Sequence, residues 1–355
     1  MITVLNFVER YPSLVSPFIE KDMDLVITSL SSQESPEKGG LVFVSSPTAF
    51  EKALKADVAG VVIPEAFKNK VPKDSPVTIL TSKNPRLLMA LCSTELFALD
   101  KLKDQFFGKE KENLKEKAFI HPTAKISELA LIGPGAFIGK NAVIEDGVMI
   151  ASGAIVQSEA QIGEGSRVHE LSYVGHNCIL GKRCEIHPHA AIGVEGFGYG
   201  SDPETGAHHP INHQGYVVLE DDVHIGSGTK IDRGTFGFTK ICKHTKIDNL
   251  CHIAHNCEIG PYSLITAGFK VAGSTKIGAF FVTGGNVTVT GHIEICDKVN
   301  LAGLAVVHKP ITEPGNYYGY PLKPLKEGLR NNAVSGNLHQ MRKDLDKVMK
   351  ELKLK

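Results

Sequence analysis

The chain has no excess of charge of either sign, no Cys-x-x-Cys pair and no long apolar run. Lys and Arg total 39 against 39 Asp and Glu, so no global field draws it to nucleic acid or to an anionic membrane surface. No stretch approaches the roughly 18 apolar residues that mark a membrane-spanning helix. Residues 1–16 lack the basic start and apolar core of a secretory signal. These absences predict a cytoplasmic protein with no transmembrane segment and no nucleic-acid partner. The seven cysteines are odd in number, and Cys178, Cys184, Cys251 and Cys257 fall at one phase of the repeat described next. A small buried side chain is wanted there, so they read as packing rather than as metal or redox groups.

What is present is a period. From Ile126 every sixth residue is aliphatic as far as Ile192; the series resumes at Leu219, Ile225 and Ile231, then runs from Ile241 to Val307 with only Thr283 as an exception. Glycine often follows, as in Ile132-Gly133, Ile138-Gly139 and Val174-Gly175. Six matches neither the helical 3.6 nor the strand period of 2. It fits a short strand plus a turn, three of which close one coil of a triangular prism, with coils stacking at about 4.8 Å. The fold class expected is mainly β: a left-handed parallel β-helix of hexapeptide repeats, with an N-terminal α/β domain and a C-terminal helical extension. The expected boundaries are 1–103 for the α/β domain, 104–118 for a linker, 119–308 for the prism and 309–355 for a C-terminal loop and helix.

Two interruptions break the series, at about 193–218 and 233–240. A solenoid sends such insertions outward, often toward a binding face. The longer one carries Gly196-Phe197-Gly198-Tyr199 and His208-His209, and reads as a substrate or subunit contact. Near the C-terminus, Leu338, Met341, Leu345, Val348 and Leu352 form a short heptad seam, which reads as a trimer-locking or packing helix. Residues 322–355 hold nine Lys/Arg against four Asp/Glu, which reads equally as a basic face for an acidic partner protein or as a solvated helix face.

The coil length turns separation into position. Residues 18 apart stack, so His255 lies beneath Gly273, and His292 stands two coils and one residue further on, roughly 10 Å along the axis. An imidazole can take a proton, and the N–H of a residue without a side chain can face a developing oxyanion. That pairing suits attack on an acyl carbonyl. The alternatives are a metal shared between subunits by His252, His255 and His292, or surface histidines with no special role. His208 and His213 lie in the insertion and do not align with the column.

At these residues the chain resembles the UDP-3-O-acylglucosamine N-acyltransferases of the lipid A pathway in Gram-negative bacteria. The stretches that carry the resemblance are Gly193-Val194-Glu195-Gly196-Phe197-Gly198-Tyr199, Ile231-Asp232-Arg233-Gly234, Ile247-Asp248-Asn249 with Ile253-Ala254-His255-Asn256, Ala272-Gly273-Ser274 and Gly291-His292. The resemblance implies His255 as general base, Asp248 to orient it, the Gly273 N–H as oxyanion donor and an assisting role for His292. It implies substrate contacts from Phe197, Tyr199, Asn249 and Asn256, uracil stacking by Phe43, and an acyl channel near Val306. The donor implied is a 3-hydroxyacyl thioester on acyl carrier protein, the acceptor a UDP-sugar and the assembly a homotrimer. No metal and no cofactor are implied. Ser46 stands where the family usually has asparagine, and Ala49 where it usually has tyrosine. Rival readings are an acetyl-CoA-dependent sugar acetyltransferase on the same prism, a metal-dependent hydratase, and a non-catalytic scaffold.

Overall fold

The computed structural model describes residues 2–72, 74–96, 114–319 and 322–352. Most of the expected linker, residues 104–113, lies outside the described residues. The chain divides into two compact units, Met1–Lys101 and Leu102–Lys355.

In the first unit a five-stranded sheet runs in the order Ser16–Ile19, Ile79–Ser82, Gly60–Pro64, Gly40–Phe43, Ser29–Ser31. The first pairing is antiparallel and the others are parallel. The continuous apolar runs of the central strands suit a sheet covered on both faces. The flanking helices start where the sequence offers a cap. The Ser46 hydroxyl accepts from the Ala49 N–H at 3.3 Å and the Asn84 amide oxygen from the Leu87 N–H at 3.1 Å, each followed by proline in the first turn. Serine and asparagine cap about equally well, so Ser46 keeps the helix start that an asparagine would give. Phe43, Ala49 and Phe50 are all buried.

In the second unit, short strands from Phe119–Ile120 onward build three sheets of 11, 10 and 9 strands, parallel except for the last pair, Gly315–Tyr318 with Lys323–Pro324. Each strand takes its register from the one a coil earlier: Leu131 pairs Met149, Met149 pairs Arg167 and Arg167 pairs Glu185. The hexad Ile and Val side chains fill the prism with almost no exposure. A second inward position per hexad carries alanine in the early coils, and Cys178, Cys184, Cys251 and Cys257 occupy it, buried as free thiols. Burial raises each thiol pKa, for Cys184 and Cys257 to about 11.

The two insertions leave the stack and return without shifting its order, since Glu185 pairs His224 and His224 pairs Lys246. Stacking also continues past the aliphatic series. Gly315–Tyr318 adds to the sheet beside Val299–Leu301, and Ile311 bridges to Ile295. Helices Leu325–Ser335 and Leu338–Glu351 follow, and the five seam residues from Leu338 to Leu352 are all exposed. No helix among the described residues is long and apolar enough to cross a membrane.

Candidate active site

The site forms at the prism edge that follows the ten-stranded sheet. Strand His252–Ile253 ends there, and the chain turns through Ala254, His255 and Asn256, with Asn256 in the left-handed region at φ 59°. Serine 274 and His292 occupy the same turn position in the next two coils, at φ 60° and 58°. The Ser274 N–H donates to the His255 carbonyl and the His292 N–H to the Gly273 carbonyl, which locks the turns one above another.

Asn256 fixes the imidazole. Its Nδ2 donates to the Phe236 carbonyl at 2.7 Å, so Oδ1 is the accepting atom, and it receives the Thr235 N–H at 3.0 Å. The same Oδ1 lies 3.1 Å from His255 Nδ1. An oxygen in that place calls for a proton on Nδ1, which leaves Nε2 with its lone pair. The Thr235 hydroxyl, 3.3 Å from Nδ1, adds a second restraint. Both Thr235 and Phe236 belong to the shorter insertion, so those extra residues serve to hold this ring.

Gly273 sits against the other side. A Cβ there would stand 2.6 Å from His255 Cε1 and 2.8 Å from Nε2, so only glycine lets the ring and the next coil meet. Among the described residues, the Gly273 N–H meets no protein acceptor.

The longer insertion covers the ring from the third side. His213 packs edge-on to His255, with ring centroids 5.3 Å apart. It is 5% exposed. Its Nδ1 lies 2.9 Å from the Ile211 carbonyl, its N–H donates to the Glu195 carboxylate at 3.1 Å, and its Nε2 has no partner among the described residues. Gly196 and Gly198 are what let the loop fold over it, since a Cβ on either would come within 2.8 Å of the His213 ring. Phe197 between them is 87% exposed, and Tyr199 packs against it at 4.9 Å. The placement of His213 corrects the expectation that it stands apart from the histidine column. Its number inside an insertion carries no coil position; the one signal for it was the pair of glycines around Phe197.

A groove of about 320 Å³ opens beside His255, lined by Phe197, Asp232, His252, Lys270, Gly273 and Thr288 among others. Asp232 is buried, and its carboxylate lies 3.4 Å from His252 Nε2. That hydrogen bond raises the His252 pKa against the opposing effect of burial. Arg233 is buried behind the loop, donating to the Gly193 and His176 carbonyls and meeting the His176 ring. Burial and the Arg233 charge lower the His176 pKa.

The remaining expected residues lie elsewhere. Asp248 and Asn249 stand on the neighbouring edge, after the eleven-stranded sheet. There the Asp248 carboxylate accepts from the Asn249 and Ala267 N–H groups, and the Asn249 amide oxygen from Ser227. Neither side chain touches His255 within the chain. His292 faces an adjoining cleft with Glu258, Lys276 and Glu294. Val306 follows Thr288 on the ladder that forms the groove wall. Phe43 packs in the core of the first unit, 8% exposed. Its position inside a buried strand explains that small exposure.

A family model described as the GMPPB C-terminal domain matches residues 114–197, which end before the histidine column. The UDP-3-O-acylglucosamine N-acyltransferase of Methylococcus capsulatus is 38% identical over 351 residues, 98% of this chain and 97% of that relative. The relative of the same name from Wolinella succinogenes is 42% identical over 164 residues, 46% of this chain, and the match spans about half (51%) of that relative's length. Among solved structures, the UDP-N-acetylglucosamine acyltransferase of Francisella novicida matches 60% of this chain and 73% of its own at 25% identity and a TM-score of 0.42.

Proposed function

Because this chain belongs to the UDP-3-O-acylglucosamine N-acyltransferase family, we propose that its acyltransferase site moves a 3-hydroxyacyl group from acyl carrier protein to the 2-amine of UDP-3-O-acylglucosamine. In this reading His255 Nε2 accepts a proton as the amine nitrogen attacks the thioester carbonyl. The tetrahedral oxyanion forms against the Gly273 N–H. The C–S bond then breaks, the imidazolium returns its proton to the departing sulfur, and an amide and a free thiol result. The observation that carries the reading is the Asn256-held imidazole with Nε2 turned to Gly273.

The groove supplies the setting. Phe197 and Tyr199 stand at its mouth for the sugar nucleotide, Lys270 and the His252–Asp232 pair supply charge, and Val306 lies along the wall where an acyl chain would run. His292, two coils on from His255, assists by binding or by charge. Asp248 and Asn249 reach a histidine only from a neighbouring copy, which is the arrangement that the expected homotrimer provides. The basic C-terminal helices are the docking face for the acidic carrier protein, where charge pairing chiefly speeds association. The protein works in the cytoplasm, and the reaction needs neither metal nor cofactor.

The test is transfer from 3-hydroxyacyl carrier proteins to UDP-3-O-acylglucosamine by wild type and by His255→Ala. We expect robust transfer that falls about 10²–10⁴-fold in the variant. No transfer at any chain length by folded protein would point instead to a coenzyme A thioester enzyme with another acceptor.

A further inference from the structure

His169, Glu185 and His187 are the one group of three possible metal ligands among the described residues whose ligand atoms all lie within 4.8 Å of one another. They sit on two successive coils at the edge that follows the eleven-stranded sheet, not at the edge that carries His255. The ladder sets them there. Arg167 pairs Glu185, so His169 and His187 stack directly, with ring centroids 5.0 Å apart and planes 21° apart. Both rings are pinned at their backbones, since the His169 N–H donates to Ile186 and the His187 N–H to Ile225. Glu185 turns its carboxylate back to His169 Nε2 at 2.7 Å. The side chains of His169 and Glu185 are only 14% and 23% exposed.

We infer that these three side chains bind a divalent first-row transition ion of the zinc type, which staples the two coils together. Two imidazoles and one carboxylate are the donor set of borderline cations rather than of Mg²⁺ or Ca²⁺, which prefer oxygen alone. Ligand bonds near 2.0–2.2 Å need only small rotations from the present spacing, with His169 Nε2 and Glu185 parting to admit the ion. The outer shell fits as well. Glu170 lies 3.9 Å from His169 Nδ1, on the far side of the ring from Glu185, too far for a hydrogen bond as placed but on the side from which a carboxylate can turn to hold a ligating imidazole. Arg167, a ladder neighbour of Glu185, brings positive charge toward that carboxylate. The long insertion falls between Glu185 and its next ladder partner His224, so the staple would clamp the prism beside the point where the chain leaves the stack.

The test is titration of chelator-treated full-length protein with Co²⁺, followed by visible absorption, with Zn²⁺ as competitor. Thermal melting with and without Zn²⁺ gives a second readout. We expect one ion per chain, a rise in melting temperature with zinc, and affinity at least about tenfold weaker in His169→Gln and His187→Asn. Acyl transfer by these variants should stay near wild type, which certifies their fold. No saturable binding by wild type overturns the inference, as does binding that survives both substitutions; the His169–Glu185 pair is then a hydrogen bond within the wall and nothing more.

Discussion

Two neighbouring edges of the prism carry the residues that resemblance groups into one site, and they are built differently. At the His255 edge, both insertions converge. Thr235 and Phe236 hold Asn256, His213 packs on the imidazole, and Gly273 leaves room above it. At the Asp248 edge no insertion arrives. The carboxylate and the Asn249 amide spend their acceptors on backbone N–H groups of adjacent coils. The same hexad template thus yields a scaffolded ring on one edge and self-satisfied turn residues on the next. The repeat supplies position; the irregular segments supply a fixed tautomer and a covered site.

The sharpest way to break this contrast is at Gly273. Alanine there puts a methyl against Cε1 and Nε2 and must displace the ring. Misplacement of a reacting group by about 1 Å costs on the order of 10²-fold, so kcat/KM should fall by about that much while the melting temperature barely moves. Activity near wild type would mean that the spacing of imidazole and glycine is not what the site depends on.

A smaller effect is expected from Asp248→Asn. Its carboxylate holds turns of its own chain and, across copies, can orient a histidine but not replace it, so transfer should drop by about tenfold or less, well short of the loss expected on removing a general base. A loss equal to that of His255→Ala would erase the distinction and make the carboxylate as necessary as the imidazole.

The smallest effect concerns charge within the groove. His252 holds its proton above the usual range because Asp232 accepts from it. The stabilisation that this pair gives is fully present below the ordinary histidine pKa of about 6.5. It is lost as pH rises through the raised folded value. In Asp232→Asn, the His252 ring signal in an NMR titration should shift to a lower midpoint, with only a modest change in rate. An unchanged midpoint would show that the groove's charge is set elsewhere.

Much of the prism is legible in the sequence because its rule is local and repeated. One aliphatic residue per six, with a small partner two before it, fixes strand, turn and stacking neighbour together. His255 under Gly273 follows from that arithmetic alone. Residues inside insertions have no coil number, so the packing of His213 on His255 and the hold of Thr235 on Nδ1 could not be counted out. Phe43 is ambiguous for another reason: a buried aromatic and a stacking platform look alike in a short apolar run.

The stack also has a direction of weakness. In the ten-stranded ladder the strand of His255 has three strands beyond it toward the C-terminal end and six toward the N-terminal end. A linear array held by nearest-neighbour contacts opens from its tips, and each coil lost exposes only the next. The turn that carries His255 is therefore insulated from fraying at either end. Backbone amides of the terminal coils can exchange with solvent many times over before those around Ala254 and Gly273 do so once.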